Sequence, residues 1–347
     1  MNDSILYKEI AEQPGALRNV LEIEGQHIRE LALLLKKKRV EYVVLAARGT
    51  SDNAARYAQY LFGTALGLPV ALAAPSLHTI YEAKMRFEHA LVIGISQSGK
   101  SPDIAAVLEH SREVGSPTLA ITNVGDSPLA QAAEHVIELH VGQERSVAAT
   151  KTYTAQLMVL AMLVLNIAED TAGLAALQQV PDAVAQTLSL DARMREIAHA
   201  IAQARAMVTL SRGYNYATAW EVAQKLKELT YIPTEPYSLA DFQHGPIAML
   251  SEDIPVLAFA PSGAAANDTH ELAPRLRERG SPLVVISDIP SILEQASLPV
   301  QLPASVDERF SPMTAVIPGQ QLALYMALER GIEPDHPRGL RKVTETL

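Results

Sequence analysis

The run ISQSGKSPD, Ile95 to Asp103, follows the apolar stretch ALVIG and precedes a helical pattern. Ser96, Ser98 and Ser101 offer hydroxyls, Gln97 an amide and Lys100 a cation, while Gly99 permits a tight turn. A strand that ends in such a loop and runs into a helix aims several backbone N–H groups at one point. The helix dipole adds partial positive charge there. That is chemistry for an anion, and above all for a phosphate. Ser101 before Pro102, with Asp103 in the first turn, would also cap a helix. Five polar side chains exceed what a cap needs, so phosphate is the preferred reading. The Walker spacing G-x-x-x-x-G-K-[ST] is absent, and no nucleotide is implied. The loop RGTSDN after an earlier strand brings Thr50 and Ser51 to the same sheet edge as a second wall.

A second group of residues could move protons. In WEVAQKLKELTY, Glu221, Lys225 and Glu228 recur at i, i+4 and i+7, beside a core stripe of Val222, Leu226 and Leu229. On spacing alone a solvated salt-bridge stripe is the better account. The alternative is a carboxylate and an amine held rigidly at a cleft, where burial can tune their proton affinity. His244 stands before Gly245–Pro246 at a turn, a place where a histidine is more often structural than catalytic. The tail DHPRGLRKVTETL carries Arg338, Arg341 and Lys342, and a frayed basic end is the default for a C-terminus.

Elements that could position these residues alternate as apolar strand-like runs and helical patterns, which predicts a parallel sheet covered by helices. Val40–Ala47, Ala90–Ser96, Pro117–Asn123 and His135–Val141 read as strands. From about residue 207 the pattern recurs. Arg48–Gly49 falls over Arg212–Gly213, Ser98–Gly99 over Ser262–Gly263, and REVGSPTLAITN over RERGSPLVVISD, all in order and in near-equal spacing. Three matches in register point to an internal duplication. The second copy has APSGAAA in place of SQSGKS, so one main anion site is expected, in the first copy. The divisions expected are an N-terminal helical segment to residue 30, a first domain over 31–170, a helical connector over 171–204, a second domain over 205–332 and a tail from 333.

Composition bounds the function. The chain has 347 residues, 48% hydrophobic and 20% charged, with a formal net charge of −10. These values fit a globular protein. With no basic run the charge argues against nucleic-acid binding. There is no cysteine, which excludes disulfides and thiol nucleophiles and fits a reducing compartment. MNDSILYKEIAEQP is not read as a secretory signal. The run Leu157 to Ala168 is too short for a bilayer and reads as a buried helix. No metal-ligand spacing is present and no cofactor is expected.

Together these pieces resemble the tandem sugar-isomerase (SIS) half of glucosamine-6-phosphate synthase and its free-standing relatives. The resemblance rests on GTS (49–51), SQSG (96–99), VAATKTYTAQ (147–156), QKLKELTY (224–231), HGP (244–246) and the closing DHPRGLRKVTET, in family order along nearly the full length. It implies an α/β fold of two SIS domains, each a parallel sheet between helices. It also implies a phosphate site at Ser51, Ser96, Gln97, Ser98 and Ser101, with Thr50 and the backbone of Val147 on sugar hydroxyls. By the same resemblance Glu228 moves a proton between C1 and C2, and His244 opens the ring from a neighbouring subunit, hence a homodimer. Lys342 forms a Schiff base, and Glu221 and Lys225 support the polar cluster.

The implied function is an amino-sugar 6-phosphate deaminase or isomerase of the cytoplasm, taking glucosamine 6-phosphate to fructose 6-phosphate and ammonia. Galactosamine 6-phosphate or a fructosamine 6-phosphate are alternative substrates. An ammonia- or partner-dependent aminotransferase and a non-catalytic sugar-phosphate sensor are alternative roles. The cysteine nucleophile of the synthases' glutaminase domain has no counterpart, so glutamine-dependent synthesis by this chain alone is not expected. Ala149, Lys100 and Arg341 depart from the synthase pattern at the sugar end, which suits the amine-releasing members.

Overall fold

The computed structural model describes residues 4–342. They form two compact units. The first comprises Gly15–Glu144, Lys151–Gln178 and the chain from Arg341; the second comprises Met1–Pro14, Arg145–Thr150 and Gln179–Leu340.

The first unit holds a five-stranded parallel sheet of β1 (Tyr42–Ala47), β2 (Val70–Leu72), β3 (Ala90–Ser96), β4 (Thr118–Thr122) and β5 (His135–Glu138), in the order β2-β1-β3-β4-β5. The second holds β6 (Met207–Ser211), β7 (Thr234–Ser238), β8 (Val256–Phe259), β9 (Leu283–Ser287) and β10 (Leu298–Gln301), also all parallel. Its order is β10-β9-β8-β6-β7, which read from the other edge is the order of the first sheet. The duplicated sequence is therefore a duplicated topology. The helices of twelve or more residues are α1 (Ile5–Lys36), α2 (Thr50–Leu66), α3 (Pro102–Glu113), α4 (Lys151–Ala168), α5 (Tyr216–Thr230), α6 (Ala266–Glu278) and α7 (Ser311–Glu329).

Burial explains the apolar runs. Helices cover both faces of such a sheet, so its strands read as continuous hydrophobic stretches rather than alternating ones. All seven residues of β3 are buried, and Val92, Ile104, Leu108, Ala120 and Leu129 close one face of that core. Each such leucine or isoleucine contributes roughly 1.5–3 kcal/mol. The order reverses between β1 and β3, which is where ligands bind in open parallel sheets. Ala47 pairs with Ile95, and Ser96 with Thr122. The segments RGTSDN and SQSGKS thus leave the sheet at the same level.

Some boundaries differ from expectation. The strand expected over 135–141 ends at Glu138, because the chain turns and His140 adopts a left-handed φ of 49°. Thr50 and Ser51, expected in a loop, form the first turn of α2. β2, β7 and β10 were not anticipated. α4 is long and apolar enough to cross a membrane, yet 83% of it is buried inside the fold, as a core helix packed on α2. In the second unit α5 packs on α7 so closely that a methyl group on Gly319 would lie 2.3 Å from Val222 Cγ2. The tail is not frayed as far as Asp335. This carboxylate accepts from the Ser4 hydroxyl at 2.9 Å and from the Ile5 and Leu6 N–H groups at 2.8 and 2.9 Å, capping α1.

Candidate active site

In the first unit the phosphate-loop candidate turns through Gly99 at φ 63°, and a Cβ there would lie 2.0 Å from Ser127 Oγ. Only glycine fits this turn. The Ser96 hydroxyl accepts from the Gly99 N–H at 3.2 Å, and the Ser98 hydroxyl from the Lys100 N–H at 3.3 Å. Each hydroxyl retains its own proton to donate, polarised by the amide behind it. Ser101 occupies the N-cap position of α3, but its side chain makes no capping bond. Capping therefore does not account for that hydroxyl. Ser51 is buried and accepts from Gln156 Nε2 of α4 at 3.0 Å, which fixes its orientation.

Arg48 binds Asp103 at 3.0 Å through Nε and 2.8 Å through a terminal nitrogen. Asp103 is 1% exposed and lies in the first turn of α3. The pair ties the segment after β1 to the segment after β3. Arg212 and Asp268 repeat it in the second unit.

A cavity of about 420 Å³ opens beside the loop, lined among others by Gln97, Ser98, Lys100, Glu144 and Lys342. The Lys342 ammonium donates to Glu144 Oε2 at 2.8 Å. Glu144 is buried and also accepts from the Thr152 N–H at 3.1 Å and the Thr152 hydroxyl at 2.8 Å. Two of the phosphate candidates, Gln97 and Ser98, and the tail lysine are thereby brought to one hollow. Thr50, Ser51, Ser96 and Ser101 do not line it.

In the second unit, the Glu221–Lys225–Glu228 stripe is buried where spacing alone favoured a solvated face. Glu221 and Lys225 are 0% and 1% exposed. Lys225 Nζ lies 2.6 Å from Glu228 Oε2 and 3.5 Å from Glu221 Oε1. Gln224 donates to Glu228 Oε1 at 2.7 Å. Only the Glu228 end is partly open, at 21% side-chain exposure. Burying two acids and a lysine costs several kcal/mol that hydrophobic residues would not incur, so stability alone gives this stripe no advantage. α5 ends at Tyr231, in left-handed conformation, whose hydroxyl accepts from the Arg338 N–H at 2.7 Å. The Arg338 guanidinium sits 4.3 Å from its ring centre. His244 follows a short helix, is exposed and makes no side-chain hydrogen bond among the described residues. Val147 sits in a segment held by Glu9, which accepts from the Arg145 and Ser146 N–H groups.

A family model for the SIS domain matches residues 33–166 and again 200–330. The chain belongs to the SIS-domain family. A glutamine–fructose-6-phosphate aminotransferase (isomerizing) of Thermococcus kodakarensis is 34% identical over 97% of this chain. This chain spans 57% of that relative's length, and the same share of its Methanothermobacter thermautotrophicus counterpart, also 34% identical. Among solved structures, a Silicibacter pomeroyi chain provisionally named a phosphosugar isomerase is 34% identical with a TM-score of 0.87, covering 96% of this chain and all of that one. The C-terminal domain of a Francisella tularensis glucosamine-fructose-6-phosphate aminotransferase is 26% identical at the same TM-score, covering 96% of this chain and 98% of that domain. A Thermotoga maritima glucosamine-6-phosphate deaminase shares the fold, at TM-score 0.78 and 21% identity, covering 99% and 100%.

The two SIS copies differ at their loops for a visible reason. In the second, Asp288 accepts from the Ser262 N–H and hydroxyl at 2.6 Å each, and Glu308 accepts from the Ala264 N–H at 2.9 Å. Carboxylates of the chain itself occupy the donors that an anion would need. Sequence reasoning missed Glu144 and the Arg48–Asp103 tie. The tie was detectable, since Arg–Gly after a strand and Asp in the following helix recur in both copies.

Proposed function

We propose that this SIS chain is an aldose–ketose isomerase of amino-sugar 6-phosphates that releases ammonia. The observation that carries the reading is the buried Glu221–Lys225–Glu228 cluster, open only at Glu228. Such a group, fixed on a rigid helix, suits proton transfer at a carbon next to a carbonyl.

In this account Ser51, Ser96, Gln97, Ser98 and Ser101 hold the phosphate, with Thr50 and the Val147 backbone on hydroxyls of the open-chain sugar. His244 opens the ring, contributed from a second copy of the chain in a homodimer. Its exposure, with no side-chain partner among the described residues, supports that part. Glu228 takes the C2 proton of the aminoaldose, whose ammonium passes a proton to O1, and returns its proton at C1, leaving a protonated imine at C2. Lys342 adds to C2, ammonia leaves, and water hydrolyses the lysine imine to the ketose phosphate. Run backwards with ammonia supplied, the same steps form the aminoaldose. The names of the aminotransferase relatives suit this second direction, whereas the departures at Lys100, Ala149 and Arg341 favour release, the direction proposed.

The test is ammonia release from glucosamine 6-phosphate, galactosamine 6-phosphate and a fructosamine 6-phosphate, each with wild type and Glu228→Gln. Release from one sugar, lost in the variant, is the expected result. Tight fructose 6-phosphate binding with no turnover of any sugar would establish a sensor instead.

A further inference from the structure

The cavity that holds Lys342 has one wall that neither the phosphate nor the isomerisation uses. His140 lines it. Its Nε2 lies 2.7 Å from Glu24 Oε1, and the other oxygen, Oε2, lies 2.6 Å from His27 Nδ1. Glu24 is buried, while the His27 side chain is 48% exposed. A carboxylate thus bridges two imidazoles, one at the cavity and one at the surface. The geometry is built in. His140 is held at φ 49°, and Asn123 braces the same turn, accepting from the Val141 N–H at 3.3 Å and donating to the Gly142 carbonyl at 2.7 Å. With Nε2–H given to Glu24, the lone pair of a neutral His140 resides on Nδ1. This is the carboxylate–imidazole pairing that makes a histidine a base of fixed tautomer.

We propose that His140 is a second acid–base group, serving the amine chemistry of Lys342, with Glu24 as its positioning residue and His27 bracing Glu24 from the surface side. The proposal rests on the role of Lys342 in the reading above. A lysine held as an ammonium on Glu144 is no nucleophile until it loses a proton. Glu144 already accepts from Thr152 on both oxygens and is a holder rather than a base. His140 takes that proton on Nδ1, and the Lys342 amine adds to the protonated C2 imine. The imidazolium gives a proton to the departing nitrogen and recovers one from the attacking nitrogen. Ammonia leaves with the C2–N pair, and the lysine lone pair closes the new C2–N double bond. The proton left on the imidazolium departs from Nδ1 to water in the cavity, and Nε2–H stays on Glu24. The charged groups around His140 are Glu24 and His27 on α1, Glu138 and Glu144 at and beyond β5, Lys100 on the loop, and Lys342 on the tail.

His140→Gln preserves a donor to Glu24 but cannot transfer protons. The expected result is kcat about 100-fold lower with KM unchanged, and partial rescue of His140→Gly by added imidazole. Wild-type kcat in His140→Gln across the pH range would overturn the proposal. A second arm needs no turnover: the ¹⁵N shifts of the neutral His140 ring, which report its tautomer, in wild type and Glu24→Gln. Wild type should carry the ring proton on Nε2 and Glu24→Gln a mixture of tautomers; a ring proton on Nδ1 in wild type overturns the proposal. If no sugar turns over while the tautomer is as expected, the proposed function fails and the positioned histidine stands.

Discussion

Glu228 is the residue on which the proposed chemistry turns. Its two oxygens are occupied by Gln224 and Lys225 from the same helix, so the carboxylate has one geometry and one open side. Glu228→Gln should lower kcat by a factor of about 10²–10⁴ while fructose 6-phosphate still binds, as titration calorimetry would record. Ser98→Ala removes one hydroxyl donor, and also the acceptor of the Lys100 N–H. One such bond is worth about 1 kcal/mol, so the Kd for fructose 6-phosphate should rise about five- to tenfold. Lys225→Met leaves Glu221 buried without the ammonium facing it. Denaturant unfolding should show a loss of about 3–5 kcal/mol. Not all of this was legible from sequence. Acid and lysine at i, i+4 and i+7 look the same on a wet face as in a buried cluster, and only packing distinguishes them. Glu144 and Glu24 gave no signal as site residues, since Glu144 meets Lys342, and Glu24 meets His140, across more than a hundred residues.

At the scale of elements, the strong signals were the buried ones. β3 has the bounds expected of it because seven buried residues, apolar up to Ser96, lie between a turn and a glycine loop. β2, β7 and β10 are short edge strands of three to five residues, and two of them carry a proline, so neither length nor alternation marks them. The functional loop depends on backbone shape as much as on donors. Gly99→Ala forces both a strained φ and a clash with Ser127, and phosphate binding should fall further than in Ser98→Ala. Gly319→Ala pushes α7 from α5, at a cost of about 1–3 kcal/mol, visible as a lower Tm. Restored stability in the double variant Gly319→Ala, Val222→Ala would confirm the contact as the cause.

For the whole molecule, duplication followed by divergence fills the second loop's donors with Asp288 and Glu308, so one anion site is expected for two copies of the fold. Calorimetry should return one sugar phosphate per chain, because Asp288 and Glu308 fill the second loop; a stoichiometry of two would contradict that. The first unit should also be acid-sensitive. His78 stacks on Phe87 at 5.8 Å and lies 5.2 Å from the His110 ring. Burial, then the charge of His110, hold its pKa below the ordinary 6.5. The unfolded chain takes up this proton first. Stability is therefore full above pH 6.5, declines as pH falls through 6.5, and levels off below the lowered folded value. His78→Phe should flatten that limb in Tm measured against pH.

The central claim is that Glu228 carries a proton between C1 and C2 of a sugar 6-phosphate. Its most direct test is proton NMR of fructose 6-phosphate or the aminoaldose in D₂O with wild type and Glu228→Gln. The account predicts deuterium entering at C1 or C2 with wild type and none with the variant. Equal exchange in both, or none with wild type on a sugar phosphate that binds, would contradict it.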